Sequence, residues 1–123
     1  MTNTNTKELG DLEESRAASY LEELGYEILE RNWRWSNKGE IDIIAIDPNR
    51  FGKTYIVFIE VKFREWSVEM AIRAVNQKKI SQLKKLAQIY LMQRKLSLHK
   101  THFSFDVVAI SGTRLEHIKD IVK

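Results

Sequence analysis

The spacing of apolar residues along the chain predicts two helices. In residues 9–24, apolar side chains from Ala17 to Leu24 lie three or four positions apart, so they fall on one face of a helix. Gly25 follows directly and is a candidate for the residue that ends this helix. The same spacing runs through residues 75–95, which predicts a second helix.

Shorter runs rich in β-branched and aromatic residues predict strands. These runs cover residues 26–33, 39–47, 55–62 and 103–110. Between the second and third runs, residues 47–53 contain Pro48 and Gly52 and predict a turn, so these two strands form a hairpin. Residues 115–123 close the chain as a short strand or helix. This order of elements predicts an α/β domain with a mixed sheet flanked by helices.

The predicted hairpin carries charged side chains within its apolar runs. Alternation along a strand puts Glu40 and Asp42 on one face, and likewise Glu60 and Lys62. If the two strands are neighbours, Asp42, Glu60 and Lys62 can converge at one end of the sheet. Because burying two carboxylates and an ammonium is costly in free energy, the cluster is a candidate functional site.

The charged cluster has two interpretations. Carboxylate oxygens are the ligands that hard divalent cations prefer, which points to a Mg²⁺ or Mn²⁺ site. A lysine beside such a site could orient a water molecule or stabilise charge on a phosphate. Alternatively, the charges belong to an ordinary hairpin whose outer face forms a cross-strand ion pair.

Composition narrows the class of protein. The 123 residues suit one domain, with residues 1–7 as a flexible N-terminal tail and residues 8–123 as the folded part. The absence of cysteine excludes disulfides and thiolate metal sites. The start is polar and no apolar run approaches the roughly 20 residues of a membrane span, so we expect a cytoplasmic protein without a membrane partner. The net charge of +3 permits nucleic-acid binding without requiring it.

Aromatic and basic residues meet just before the hairpin. Trp33 and Trp35 lie near Arg34 and Lys38, so they could stack on bases while the cations contact phosphates. Alternatively, one tryptophan covers the core and the other lies on the surface. We predict the core position for Trp33 and leave both interpretations open for Trp35.

The charged cluster also has the form of a known signature. Asp42 followed by Glu60-Val61-Lys62 resembles the signature of the PD-(D/E)xK nuclease superfamily. Gly-Glu-Ile-Asp at 39–42 and Phe-Ile-Glu-Val-Lys at 58–62 resemble more closely the YraN-like family of predicted endonucleases, which is similar to archaeal Holliday junction resolvases. The similarity runs from about residue 9 to near the C-terminus. It implies a restriction-endonuclease-like core and metal-dependent hydrolysis of phosphodiester bonds in DNA.

This resemblance implies roles for the acidic residues and for Lys62. Asp42 and Glu60 would ligate Mg²⁺ or Mn²⁺, Glu14 from the first helix would complete the site, and Glu40 would help through water. Lys62 would position the attacking water or stabilise charge in the transition state. Periodicity does not decide whether Glu14 or the preceding glutamate faces inward, and a solvated helix charge is the alternative for Glu14.

Basic residues near the cluster are candidates for DNA contacts. The resemblance singles out Arg64 and Lys79, and the neighbouring Lys78 and Arg34 join them. Their alternatives are a surface ion pair, such as Arg64 with Glu65, and a solvated helix face. The resemblance also matches Asp106, for which we expect a structural pairing with a basic side chain.

Three further expectations concern function and partners. No glycine-rich phosphate loop or serine–histidine arrangement competes with the metal site, and we expect no small-molecule organic cofactor. A homodimer stays open, since resolvases cut symmetrically as dimers. The alternative function is a non-catalytic nucleic-acid-binding module with a nuclease-like fold, which would not need the intact acidic cluster.

Overall fold

The protein is a five-stranded mixed sheet with helices on both faces. The computed structural model describes residues 6–122, and the first five positions of the expected tail lie outside them. The helices are α1 (Thr6–Glu23), α2 (Val68–Arg73) and α3 (Gln77–Gln93), and the strands are β1 (Glu27–Arg34), β2 (Glu40–Arg50), β3 (Lys53–Phe63), β4 (Phe103–Ser111) and β5 (Arg114–Ile118). This architecture confirms the predicted fold class.

The strands lie in the sheet in the order in which they occur along the chain. The pairs β1–β2, β2–β3 and β4–β5 are antiparallel, whereas β3 and β4 are parallel. A parallel pair cannot be joined by a tight turn, and the crossover from β3 to β4 contains α2 and α3. The central strands are covered on both faces, which explains why they read as nearly continuous apolar runs.

Three apolar clusters of the described residues hold the helices against the sheet, and the smallest joins Val68 and Ala71 of α2 to β4. On one face, Ala17 and Leu21 of α1 pack with Ile43 and Val57 of the hairpin. On the other face, the buried side chains of α3 pack against Ile41, Ile44 and Phe58; they are Leu83, Leu86, Ala87, Tyr90 and Leu91. The helical spacing of apolar residues predicted this stripe of α3. Trp33 belongs to the same cluster and meets Tyr90 edge to face, which confirms its core position.

The second predicted helix is present but begins slightly later than expected. Residues 75–95 were expected to form it, and α3 covers Gln77–Gln93. The Asn76 side chain caps it by accepting a 3.0 Å hydrogen bond from the Lys79 amide. The short helix α2 precedes it and is capped in the same way by Ser67. An Asn that accepts from the amide three residues on favours the start of a helix over its interior.

The predicted hairpin turn was too long. Residues 47–53 were expected to form it, yet β2 runs to Arg50 and β3 begins at Lys53. The register shifts between Asp47 and Arg50, so Pro48 falls in an irregular stretch, where a residue without an amide hydrogen is tolerated. Only Phe51 and Gly52 make the turn, both at positive φ.

The side chain of Arg50 is buried, and a polar network compensates its charge. Its guanidinium donates to Asp106 at 2.7 and 3.0 Å and to Asp47 at 2.9 Å. His117 Nε2 lies 2.7 Å from the same Asp106 carboxylate. Burial opposes ionisation of Asp106, but the hydrogen bonds with His117 and Arg50 lower its pKa to about 2. The expected pairing of Asp106 with a basic side chain is therefore confirmed.

The last regular element of the described chain is a strand. Residues 115–123 were expected to be a short strand or helix, and β5 pairs with β4 as far as Ile118. Ile121 follows β5 and packs against the apolar clusters around α2 and α3. Among the helices of residues 6–122, none combines the length and apolar character needed to cross a membrane.

Candidate functional site

Asp42 and Glu60 lie side by side on the two central strands. The pairing of Ile43 with Ile59 puts Asp42 opposite Glu60 in the antiparallel register. Asp42 Oδ2 accepts a 2.8 Å hydrogen bond from the Val61 amide. The next strand's backbone thus holds the Asp42 carboxylate in one orientation beside Glu60.

Glu60 is a buried carboxylate between two ammonium groups. Its side chain is 2% exposed, and its Oε2 lies 3.6 Å from Lys62 Nζ and 3.6 Å from Lys79 Nζ. Its Oε1 is buried without a hydrogen-bond partner. Burial and the Asp42 charge raise the pKa of Glu60 to about 8, and the lysines only partly offset them. Glu60 therefore retains one oxygen that a proton or a cation could satisfy.

Glu14 extends the acidic cluster from α1. It is half-buried and its Oε1 also lacks a partner. Burial, together with the charges of Asp42 and Glu40, raises the pKa of Glu14 to about 7. Glu13 is the more buried of the two neighbouring glutamates, but it pairs with Arg16 at 3.0 Å. Glu14 is thus the residue that interacts electrostatically with the cluster.

Glu40 lies at the edge of this cluster. Its carboxylate pairs with Arg34 at 3.4 Å, and the Arg34 side chain is 73% exposed. A cleft of about 570 Å³ is lined by Glu14, Glu40 and Arg34, together with Asn32, Asp11 and Gly10. The acidic cluster is therefore open to solvent on the α1 side.

Lys79 reaches the site from the first turn of α3. Its Nζ donates to Gln82 Oε1 at 3.2 Å while lying beside Glu60. Gln82 Nε2 in turn donates to the Lys38 carbonyl at 3.0 Å. A chain of contacts thus runs from the β1–β2 connection through Gln82 and Lys79 to Glu60.

Sequence reasoning missed Gln82. Its contacts join residues far apart in the chain, so no local pattern could reveal them. The available signal was Gly39, which has a φ of +134° and whose missing Cβ leaves room for the Gln82 amide. A glycine at the start of a strand often marks such a close approach.

A second cleft, of about 310 Å³, opens on the α3 side. We call it the lysine cleft; it is lined by Lys62, Ala74, Asn76, Lys78, Lys79 and Gln82. Arg64 follows β3, is exposed and donates to the Phe63 carbonyl at 2.7 Å. Within residues 6–122, Arg64 forms no ion pair with Glu65 or with the cluster.

The cluster is not a closed metal cage. Within the described part of the chain, no three His, Cys, Asp or Glu side chains come together in an arrangement that could hold a metal ion. Mg²⁺, however, is often bound by one or two carboxylates plus water and substrate phosphate. Asp42 and the unpartnered oxygen of Glu60 fit that open kind of site.

Comparison with known sequences identifies the family. The model of the Uncharacterised protein family UPF0102 matches residues 13–110. The chain belongs to this family. A UPF0102 protein of Syntrophus aciditrophicus is 43% identical over 122 residues, covering 95% of this chain and 90% of the relative.

Two further UPF0102 relatives show similar coverage. A protein of Clostridium botulinum is 41% identical over 105 residues, covering 85% of this chain and 80% of the relative. A protein of Fusobacterium nucleatum is 39% identical over 120 residues, covering 96% and 93%. The segment that the UPF0102 model matches contains the whole acidic cluster and both site lysines.

Proposed function

We propose that this UPF0102 protein is a metal-dependent endonuclease of the PD-(D/E)xK superfamily that hydrolyses phosphodiester bonds in DNA. One observation carries the proposal: Glu60 is buried beside Asp42 and keeps an unpartnered oxygen, while two lysines contact its other oxygen. Such a group is costly in a purely structural hairpin. It suits a site that receives a cation and a phosphate together.

The residues of the site would then have separate roles in the reaction. Asp42 and Glu60 would hold Mg²⁺ or Mn²⁺, and Glu14 and Glu40 would hold its water ligands on the α1 side. The metal ion, when bound, supplies Lewis-acid stabilisation and lowers the pKa of bound water. Lys62, whose Nζ already lies 3.6 Å from Glu60, would orient the attacking water or neutralise charge on the phosphate.

The other cations would bind the DNA backbone. Lys79 and Lys78 line the lysine cleft next to the carboxylates, Arg34 lines the cleft on the α1 side, and the exposed Arg64 follows β3. Phosphate contacts of this kind position the DNA without reading its sequence. We also propose a cytoplasmic location. A homodimer would cut two strands of a branched DNA, because residues 6–122 of each copy contain one acidic cluster.

A non-catalytic nucleic-acid-binding module is the second candidate. The observation that favours it is the absence, within residues 6–122, of a ready three-ligand metal group. In that case Lys62 and Lys79 would simply balance the charge of Glu60, and the lysine cleft would bind phosphates without cleavage.

Cleavage of a panel of labelled DNAs distinguishes the two candidates. The panel contains single-stranded, duplex, overhang and four-way DNA, each with Mg²⁺, Mn²⁺ or EDTA. We expect metal-dependent cleavage that Glu60→Gln abolishes and that the exposed control Glu69→Gln retains. Binding without cleavage of any substrate, equal in both variants, would favour the binding module.

A further inference from the structure

A third cleft continues from the lysine cleft along α3. It has a volume of about 460 Å³ and is lined mainly by Lys38, Lys78, Lys85, Gln82 and Ile89. We call it the flanking cleft. It shares Lys78 and Gln82 with the lysine cleft, so the two form one path away from Glu60. A DNA strand bound at the acidic cluster could pass directly from one cleft into the other.

The rim of the flanking cleft is positively charged. Three lysines, Lys38, Lys78 and Lys85, line it, and no acidic side chain does. In residues 6–122, none of the three forms an ion pair. Unpaired cations grouped around a concave surface concentrate positive potential there and attract phosphates.

The floor of the flanking cleft is apolar. The half-buried Ile89 provides its accessible surface above the buried Leu86, with Ser81 and Gln82 beside it. Paired duplex DNA turns its sugar–phosphate backbone outward and keeps its bases stacked inside. An unpaired nucleotide, in contrast, can place a base on an apolar surface while its phosphates meet cations. The volume lies in the range of pockets for small ligands.

Building on the nuclease function proposed above, we propose that the flanking cleft binds an unpaired nucleotide adjoining the scissile phosphate. The substrate is then DNA with a single-stranded segment next to the cut. Lys38, Lys78 and Lys85 hold its phosphates, and Ile89 contacts its base or sugar. Gln82 separates this nucleotide from the one at the acidic cluster.

The chain offers a matched pair of variants for the test. Lys85 and Lys84 are adjacent, exposed lysines of α3, but only Lys85 lines the flanking cleft. Affinity is measured by fluorescence anisotropy in Ca²⁺ for a labelled single strand, a blunt duplex and a duplex with a single-stranded overhang. Salt is varied to count phosphate contacts. Ile89→Ser tests the apolar floor separately, with circular dichroism to confirm folding.

We expect the wild type to prefer the single strand and the overhang to the blunt duplex. Lys85→Ala should weaken single-strand binding several-fold and reduce the salt slope by about 0.7, the loss of one phosphate contact. Lys84→Ala should change neither quantity. Folded Ile89→Ser should weaken single-strand binding without changing the salt slope.

Different failures separate this inference from the nuclease proposal. Equal effects of Lys84→Ala and Lys85→Ala, or equal binding of blunt and overhang duplexes, would overturn the flanking-cleft inference while metal-dependent cleavage still supported a nuclease. A wild type that binds none of the three DNAs would overturn the inference, and complete absence of cleavage would then overturn the nuclease proposal as well.

Discussion

At the residue scale, Glu60 shows how burial and charge oppose each other. Two ammonium groups lie 3.6 Å from its Oε2, which favours the ionised carboxylate. Burial and Asp42 nevertheless raise its pKa to about 8. The ionised form therefore gains less from the lysines than it loses by leaving water. A divalent cation at the unpartnered oxygen would reverse this balance, because its charge favours the ionised carboxylate.

This balance predicts how metal-free stability depends on pH. Burial raises the pKa of Glu60 from 4.5 to about 8 in the folded state. At a pH between these two values, the native state holds a proton that the unfolded state has released. The Glu60 contribution to the free energy of unfolding thus falls as pH rises through this window. Glu60→Gln removes that loss. The melting temperature of the variant minus that of wild type should therefore increase as the pH is raised from 5 to 9. The control Glu69→Gln should show no such trend, and a pH-independent difference for Glu60→Gln would contradict the assignment.

Replacing the two site lysines should have different effects on cleavage rate and on DNA affinity. Lys62 shares a strand with Glu60, whereas Lys79 comes from α3 and lines the lysine cleft. We expect Lys62→Ala to slow single-turnover cleavage by about 100- to 1000-fold with DNA affinity in Ca²⁺ retained. Lys79→Ala should instead weaken DNA binding and reduce the salt slope by about one unit on duplex DNA. If Lys62→Ala cleaves as fast as wild type, Lys62 has no part in the chemical step.

At the scale of elements, the start of α3 is tied to the start of β2. Asn76 caps the helix, and Gln82 bonds to the Lys38 carbonyl and to Lys79. Gly39 allows this close approach because it has no Cβ. The orientation of α3, and with it the position of Lys79 beside Glu60, therefore depends on the β1–β2 connection.

Gly39→Ala should disturb this connection. The φ of +134° strains an alanine, and its Cβ would meet the Gln82 amide closer than contact distance allows. We expect a loss of about 1–3 kcal/mol in the free energy of unfolding, measured with denaturant. Gly52→Ala is the matched control, since Gly52 also has positive φ but open space around it. Only Gly39→Ala should also weaken DNA binding; equal binding by both variants would remove Gln82 from the site.

The elements differ in how far their sequence could predict them. The apolar stripe of α3 and the runs of β2, β3 and β4 are local patterns, and their prediction was confirmed. The start of α3, two residues later than expected, depends on the Asn76 side-chain cap and not on the apolar spacing. The end of β2 carries Arg50, whose buried guanidinium bonds to Asp106 on β4. Long-range contacts of this kind leave no periodic signal in the chain.

At the scale of the whole molecule, the two faces of the sheet carry different polar clusters. Glu60 shares its face with Phe58, which packs under α3. Asp106 shares its face with Val108, which packs under α1, and His117 links Asp106 to Tyr20 of α1 through a 3.1 Å contact. The Arg50–Asp106 network therefore ties strands and helix together away from the acidic cluster.

This network should contribute to stability and not to chemistry. Arg50→Met leaves Asp47 and Asp106 buried without their cation, and breaking a buried pair in this way typically costs about 3–5 kcal/mol. Denaturant unfolding should show that loss, while the exposed control Arg73→Met should stay close to wild type. The fraction of Arg50→Met that is folded should keep its DNA affinity. A stability near that of wild type would contradict the structural role.

The acidic cluster shows what sequence could predict of the site. Strand alternation and the hairpin register brought Asp42, Glu60 and Lys62 together as expected, because both depend only on local pattern. The contact of Lys79 with Glu60 and the contribution of Gln82 required the packing of α3 on the sheet. Residue type and spacing could suggest these side chains, but only tertiary structure gives their distances.

Single-turnover cleavage of a labelled overhang duplex by wild type and Asp42→Asn tests the central claim most directly. Asp42→Asn keeps the size of the side chain and an oxygen that can accept from the Val61 amide, so the fold and DNA affinity should be retained. We expect wild type to cleave with Mg²⁺ or Mn²⁺ but not with EDTA, and Asp42→Asn to lose cleavage under every condition. Equal cleavage by the two proteins, or cleavage by wild type that EDTA leaves unchanged, would contradict a metal-dependent reaction at Asp42 and Glu60.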